Sequence, residues 1–170
     1  MPFLAGLGLL WLALQKPAPT PPLRFTPTRQ NIADAMLKLA NVGPNDVVYD
    51  LASGDGRIPI IAAQKYGARG VGIEIDPQLV ELSWETANQA QVANRVSFIR
   101  GDVFERDFSN ATVVTAYLNS TILHMLEPKF RALKPGTRIV SHQFPIPGWT
   151  PARKIKVDEA ELLLWIVPKH

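Results

Sequence analysis

Three acidic residues stand where an apolar run gives way to a turn. Asp50 closes Val47-Val48-Tyr49, Glu74 closes Gly70-Val71-Gly72-Ile73, and Asp102 follows Val96-Ser97-Phe98-Ile99-Arg100-Gly101. Strands that end this way put their acids on one edge of an open α/β sheet, and the acid ending the second strand is placed to hydrogen-bond a ribose hydroxyl pair. After Asp50 the chain crosses Leu51-Ala52-Ser53-Gly54-Asp55-Gly56-Arg57 and re-emerges at Ile58 with helical composition. Gly54 and Gly56 let the backbone turn sharply and let a ligand lie against it, a need that Ala52 nearly meets. The N-terminal amides of the following helix point back at this loop. Asp55 and Arg57 are spaced to pair with each other at its mouth.

The elements that must hold these acids are legible from periodicity. A helix is expected from Thr26-Pro27 or Thr28, with Ile32, Met36, Leu37 and Ala40 on one face and Gly43-Pro44 as its stop, laid over the crevice. A plain cap and a place beside the ligand are both open readings for Thr26 and Thr28. Helices follow over Ile58 to Tyr66, ended by Gly67, from Asp76-Pro77 through Ala87, and over Ile122 to Leu133. Strands four and five are read at Thr112 to Tyr117 and Thr137 to Phe144. Lys154 to Asp158 and Leu162 to Val167 add a final, antiparallel pair. Helices between strands imply right-handed crossovers, so the class is α/β: seven strands, mainly parallel, with helices on both faces.

At 170 residues the chain makes one domain with a core of its own. Lys and Arg number 18 against 15 acids, a formal +3, and the sequence pI is near 9.3. That balance suits an anionic partner or simply a solvated basic face, and is too mild to argue for nucleic acid. With no cysteine, disulfides and thiolate metal sites are excluded. His124, His142 and His170 form no pair at ligand spacing, so no metal is expected.

Residues 1–15 are an apolar segment and 16–24 a proline-rich linker, leaving 25–170 for the domain. Pro2 to Leu14 falls short of the ~20 apolar residues that span a bilayer. No Lys or Arg precedes it and no small-x-small cleavage site follows, which makes a poor signal peptide. A membrane anchor or shallow interfacial segment, a helix packed on the domain, and a weak export signal remain open. Membrane association is favoured, because the segment has no polar face and carries Trp11. The prolines then form a stiff spacer.

The series Asp50 to Arg57, Gly72-Ile73-Glu74-Ile75-Asp76 and Gly101-Asp102 resembles the class I S-adenosylmethionine-dependent methyltransferases. Phe25-Thr26-Pro27-Thr28, Thr115-Ala116-Tyr117-Leu118 and Leu133 to Phe144 resemble a narrower group within it. That group is the protein-lysine methyltransferases of the adenine nucleotide translocase and ATP synthase c-subunit type, with their bacterial relatives. The likeness runs from about Phe25 to the end of the chain. It implies a Rossmann-like sheet and S-adenosylmethionine as cofactor, made and used in the cytoplasm, which makes export the least attractive reading of the N-terminus. A hydrophobic N-terminal segment is also common in that family. The resemblance assigns Glu74 to the ribose hydroxyls and Asp102 to the adenine amino group, against the alternatives of a surface acid and a turn cap. Ala52, Gly54 and Gly56 would accommodate the methionine part, Asp50 the loop or the amino group, and Thr26 would lie near the cofactor.

Methyl transfer is an in-line displacement that needs a neutral nucleophile held in place. On the acceptor side, Tyr117 is the first candidate and Asn119 the second, as polar groups at the fourth strand's end able to accept hydrogen bonds from an amine. His142 is a candidate proton acceptor or a hydrogen-bonded core histidine. Two departures from the family pattern stand out: Ala52 replaces the loop's first glycine, and Gln143 stands where relatives carry an acid. A protein lysine is the favoured acceptor over a small molecule. A non-catalytic, membrane-tethered binding module is a third reading. A nicotinamide dehydrogenase is disfavoured by the loop, which departs from Gly-x-Gly-x-x-Gly. Nucleic-acid modification is disfavoured too, because no Asn-Pro-Pro-aromatic motif follows strand four.

Overall fold

The computed structural model describes residues 25–169, so the expectations for residues 1–24 lie outside the described residues. Eleven elements follow one another: α1 (Gln30–Leu39), β1 (Val47–Leu51), α2 (Arg57–Tyr66), β2 (Arg69–Glu74), α3 (Pro77–Gln89), β3 (Val96–Arg100), β4 (Val113–Ala116), α4 (Ser120–Arg131), β5 (Arg138–His142), β6 (Arg153–Val157) and β7 (Ala160–Ile166). The strands form one sheet in the order β3-β2-β1-β4-β5-β7-β6. The first five are parallel, while β7 runs antiparallel to both neighbours. The order reverses between β1 and β4, which opens a crevice at their carboxyl ends.

Alternation along the strands supplies both cores. Val48, Val113, Val140 and Leu162 meet Ile32, Met36 and Leu37 of α1 and Ile58, Ile61 and Ala62 of α2. Their neighbours Leu51, Val114, Ile139 and Trp165 meet Leu123, Leu126 and Phe130 of α4. The sheet edge is closed by α3, whose Ala87 packs with Ile60 and Phe98. As the Asp76-Pro77 pair predicts, the Asp76 carboxylate accepts the Gln78 N–H at 2.8 Å and Pro77 fills the first helical position.

Two expectations are corrected. The helix expected from Thr26 to Thr28 begins only at Gln30; residues 25–29 are outside any helix, and Arg29 before it has φ −57° and ψ 147°. Pro27 disfavours helical backbone at Thr26. Thr28 does not cap: its hydroxyl faces His142, and its carbonyl accepts from Arg57. It is this strap, rather than α1, that borders the crevice. The fifth strand stops at His142 instead of Phe144, because Gln143 turns with φ +73° and the Ser141 hydroxyl donates to the Phe144 carbonyl at 2.6 Å.

Among the described residues no helix is long and apolar enough to cross a membrane.

Candidate active site

The carboxyl ends of β1, β2 and β4 and the turn after β3 open into a cleft of about 900 Å³, walled on one side by Phe25 to Thr28. Its size is at the upper end of the range for cofactor sites. The loop after β1 forms its floor. Ala52, Ser53 and Asp55 line the cleft, whereas Gly54 and Gly56 do not and instead shape the loop. A Cβ on Gly54 (φ +57°) would stand 2.1 Å from the Phe25 ring, and one on Gly56 (φ +75°) 2.5 Å from the Phe98 ring. Both glycines are therefore required by protein packing as well as by backbone conformation.

Ala52 sits at φ +59° with its methyl in an exposed position. Left-handed backbone costs an alanine ~1–2 kcal/mol, partly offset by the stiffer unfolded chain. Ala52→Gly is expected to raise the melting temperature by about 2–4 °C, read by calorimetry, without loss of cofactor affinity.

Glu74 is 7% exposed, which removes the surface-acid alternative. Its two oxygens accept the Gly54 N–H at 2.8 Å and the Asp76 N–H at 3.0 Å, so one carboxylate ties the ends of β1 and β2 together on the cleft wall. A carboxylate has about four lone-pair sites, and two remain for a ligand's hydroxyls. Asp102 lies on the same wall and does cap its turn, with Oδ1 taking the Phe104 N–H at 2.9 Å. The loop beyond it is pinned by Lys129 of α4, whose Nζ donates to the carbonyls of Phe104 (2.7 Å) and Arg106 (2.8 Å).

Asp50 is 4% exposed, and Thr115 Oγ1 donates to its Oδ1 at 2.7 Å. Burial, aided by the nearby charges of Glu74 and Asp55, pushes its carboxyl up to about 7 against the lowering by Thr115. A carboxyl raised on folding stabilises below its unfolded value near 4, and that contribution is lost as pH rises through its folded value. Cofactor-free protein is thus expected to lose stability from about pH 4 to pH 7. Denaturant melts of wild type and Asp50→Asn should differ by that loss: the stability of wild type relative to the variant should fall across the window, whatever His142 and the other groups common to both contribute.

The strap is stapled to the loop. Arg57 donates twice to Asp55 (2.9 and 2.6 Å) and once to the Thr28 carbonyl (2.8 Å). The Asp55–Arg57 pair is the one read from spacing; its hold on the strap joins residues 29 positions apart and has no local signal. Thr28 Oγ1 lies 3.3 Å from His142 Nδ1, and the His142 ring stacks on Tyr117 at 4.0 Å. Phe144 covers Tyr117 at 6.1 Å, a contact the strand reading missed. Burial, with a smaller push from Arg29, holds the His142 imidazole below its ordinary value. Asn119 lines the cleft while its Oδ1 caps α4 through the Ile122 N–H (3.0 Å). Thr26 and Tyr117 also stand on the cleft wall.

Residues 50–153 match the family model described as the ANTKMT methyltransferase domain. The chain belongs to that family. The ANTKMT-type chain is 39% identical to a protein-lysine N-methyltransferase of Saccharolobus islandicus, over 88% of this chain and 97% of that one. It is 34% identical to the mouse adenine nucleotide translocase lysine N-methyltransferase, over 98% of this chain and 76% of the relative. The crystal structure of an RNA methyltransferase from Salinibacter ruber, in complex with S-adenosylhomocysteine, superposes with a TM-score of 0.84 at 47% identity, covering 85% of this chain and 95% of that one. The ANTKMT-type chain is an S-adenosylmethionine-dependent methyltransferase. Its cleft fits the cofactor: Glu74 has lone pairs to offer, and the buried Ser53 hydroxyl on the cleft floor has no hydrogen-bond partner among the described residues.

Proposed function

We propose that this methyltransferase acts on a lysine side chain of another protein, and that residues 1–15 hold it at a membrane. The acceptor class rests on the two named lysine methyltransferases, one of which aligns over nearly its whole length. The site chemistry that supports it is the Tyr117–His142 stack beside the cleft. S-adenosylmethionine supplies a methyl group on a sulfonium, which leaves as a neutral thioether when a nucleophile takes the methyl.

Glu74 would hold the ribose hydroxyls and Asp102 the adenine amino group, with Asp50 facing the ammonium of the methionine part. The chain's remaining task is to present an amine that has lost its proton. Lysine titrates near 10.4 in water, and a desolvated site favours its neutral form. The Tyr117 hydroxyl would accept a hydrogen bond from that amine and aim its lone pair. His142, held below its ordinary value, is neutral at pH 7 and able to receive a proton. Thr26 would border the cofactor, and Asn119 would offer its side-chain amide beyond Tyr117.

An RNA acceptor is the second reading, because the Salinibacter ruber relative carries that description. Enzymes that methylate bases commonly stack the flipped base on an aromatic face. His142 already stacks on Tyr117 at 4.0 Å, so a base would have to compete with that ring, which favours the amine. Incubating labelled S-adenosylmethionine with cell extract decides the matter. Label removed by protease and retained after ribonuclease, with methyl-lysine on hydrolysis, supports the protein reading; the reverse sensitivity overturns it.

For the membrane, vesicle flotation of the full chain is expected to succeed. A Leu9→Asp, Leu10→Asp double variant should stay at the bottom of the gradient, since each charge opposes burial by ~3 kcal/mol.

A further inference from the structure

Tyr117 borders two spaces. Besides the cofactor cleft it lines a smaller cavity of about 230 Å³, together with Arg29, Ile32, His142, Glu159 and Ala160. Thr26 and Pro27 border both. The partition is therefore one aromatic ring and two residues of the strap. The smaller cavity lies where the start of α1 meets the β6–β7 turn. Asn31 Nδ2 donates to Asp158 Oδ2 at 2.8 Å there, and Arg29 stands 3.7 Å from the same oxygen. None of the strand-end acids Asp50, Glu74 and Asp102 lines it.

In-line displacement requires the nucleophile to approach from the side opposite the leaving group. A cofactor held by the strand-end acids lies in the wide cleft, so an acceptor nitrogen reaches Tyr117 best from across the partition. We propose that the 230 Å³ cavity is the acceptor's own entrance, a passage that admits an unbranched primary amine from the β6–β7 turn to Tyr117. This rests on the protein-lysine reading.

The walls suit that guest. Pro27 offers exposed apolar surface to the four-carbon stem of a lysine, and the core residues Ile32 and Ala160 close the space behind it. At the outer end, the Glu159 side chain is 92% exposed, and with the Lys156 ammonium 3.7 Å from Oε2 its carboxylate keeps other lone pairs open to a second amine, against the like charge of Arg29 in the same lining. At the inner end the neutral His142 and the Tyr117 hydroxyl meet it. The amine thus goes from a carboxylate that favours its charged form to the half-buried Tyr117 and buried His142, which favour its neutral one.

The test compares wild type with Ala160→Met, which narrows the passage, and the exposed Glu159→Lys, which reverses its outer charge without touching the core. Calorimetry should find S-adenosylmethionine affinity unchanged in both. Labelling of extract protein at limiting acceptor should fall at least about tenfold in Ala160→Met. In Glu159→Lys it should fall about threefold or more at low salt, and less at high salt. Independently of activity, n-butylamine added to cofactor-free protein should shift the NMR signals of Ile32, Ala160 and His142. Wild-type labelling rates in both variants, with butylamine shifts at Phe104 and Met125 of the wide cleft instead, would overturn the passage. Should wild type label no protein at all, the protein-lysine reading is the one that fails, and the butylamine shifts alone decide whether the cavity is an amine site.

Discussion

Glu74→Ala is expected to weaken S-adenosylmethionine binding by about a hundredfold or more, measured by isothermal titration. Hydrogen bonds to a charged group contribute ~1.5–3 kcal/mol each, and a carboxylate facing a ribose diol makes two. The same substitution also strips acceptors from the Gly54 and Asp76 N–H groups, so the loop itself loosens. Two controls separate the effects. Glu74→Gln keeps the shape and one acceptor oxygen but turns an NH2 toward one of those N–H groups, so it should lose affinity about tenfold and melt below wild type by less than Glu74→Ala does. Asp102→Ala leaves the β1–β2 tie intact, so its loss of affinity should come without a comparable loss of stability. A folded Glu74→Ala protein that binds the cofactor as tightly as wild type would refute the assignment and leave the carboxylate a tie between two strands.

Much of this frame was legible because it is local. An apolar run, an acid and a glycine loop recur within a few residues, and the acids at Asp50, Glu74 and Asp102 do gather at one edge. The Asp76 cap and Gly67 stop follow from the chemistry of single turns. What stayed hidden is carried by contacts distant in sequence. The strap is held against the loop because Arg57 and His142 claim Thr28, and the latter is 114 positions away. The place of β7 between β5 and β6 depends on pairing that its own residues do not specify. Phe144 reaches Tyr117 only because Gln143 takes a left-handed conformation, a backbone choice that a glutamine does not advertise. Likewise Gly54 reads as a ligand-side glycine, yet the nearest obstacle to a side chain there is Phe25.

Those hidden contacts bear on catalysis through Tyr117, whose ring stacks with His142 and Phe144 and lines both cavities. Tyr117→Phe removes one oxygen and keeps both stacks. If that oxygen aims the acceptor amine, kcat should fall about 10- to 100-fold, the range expected when a reacting group is no longer aligned, while cofactor affinity stays within about twofold. Tyr117→Ala removes the partition as well, and its kcat should fall by about a thousandfold or more. The pH profile separates Tyr117 from its neighbour. Loss of the hydroxyl lowers the rate at every pH and leaves the shape unchanged. If His142 takes the acceptor's proton, wild type should show an acid limb below pH 6.5, since burial lowers that imidazole from its ordinary value, and His142→Asn should abolish the limb. A Tyr117→Phe enzyme that turns over at the wild-type rate would reduce the ring to a wall, and the alignment of the amine would then fall to the His142 ring stacked against it.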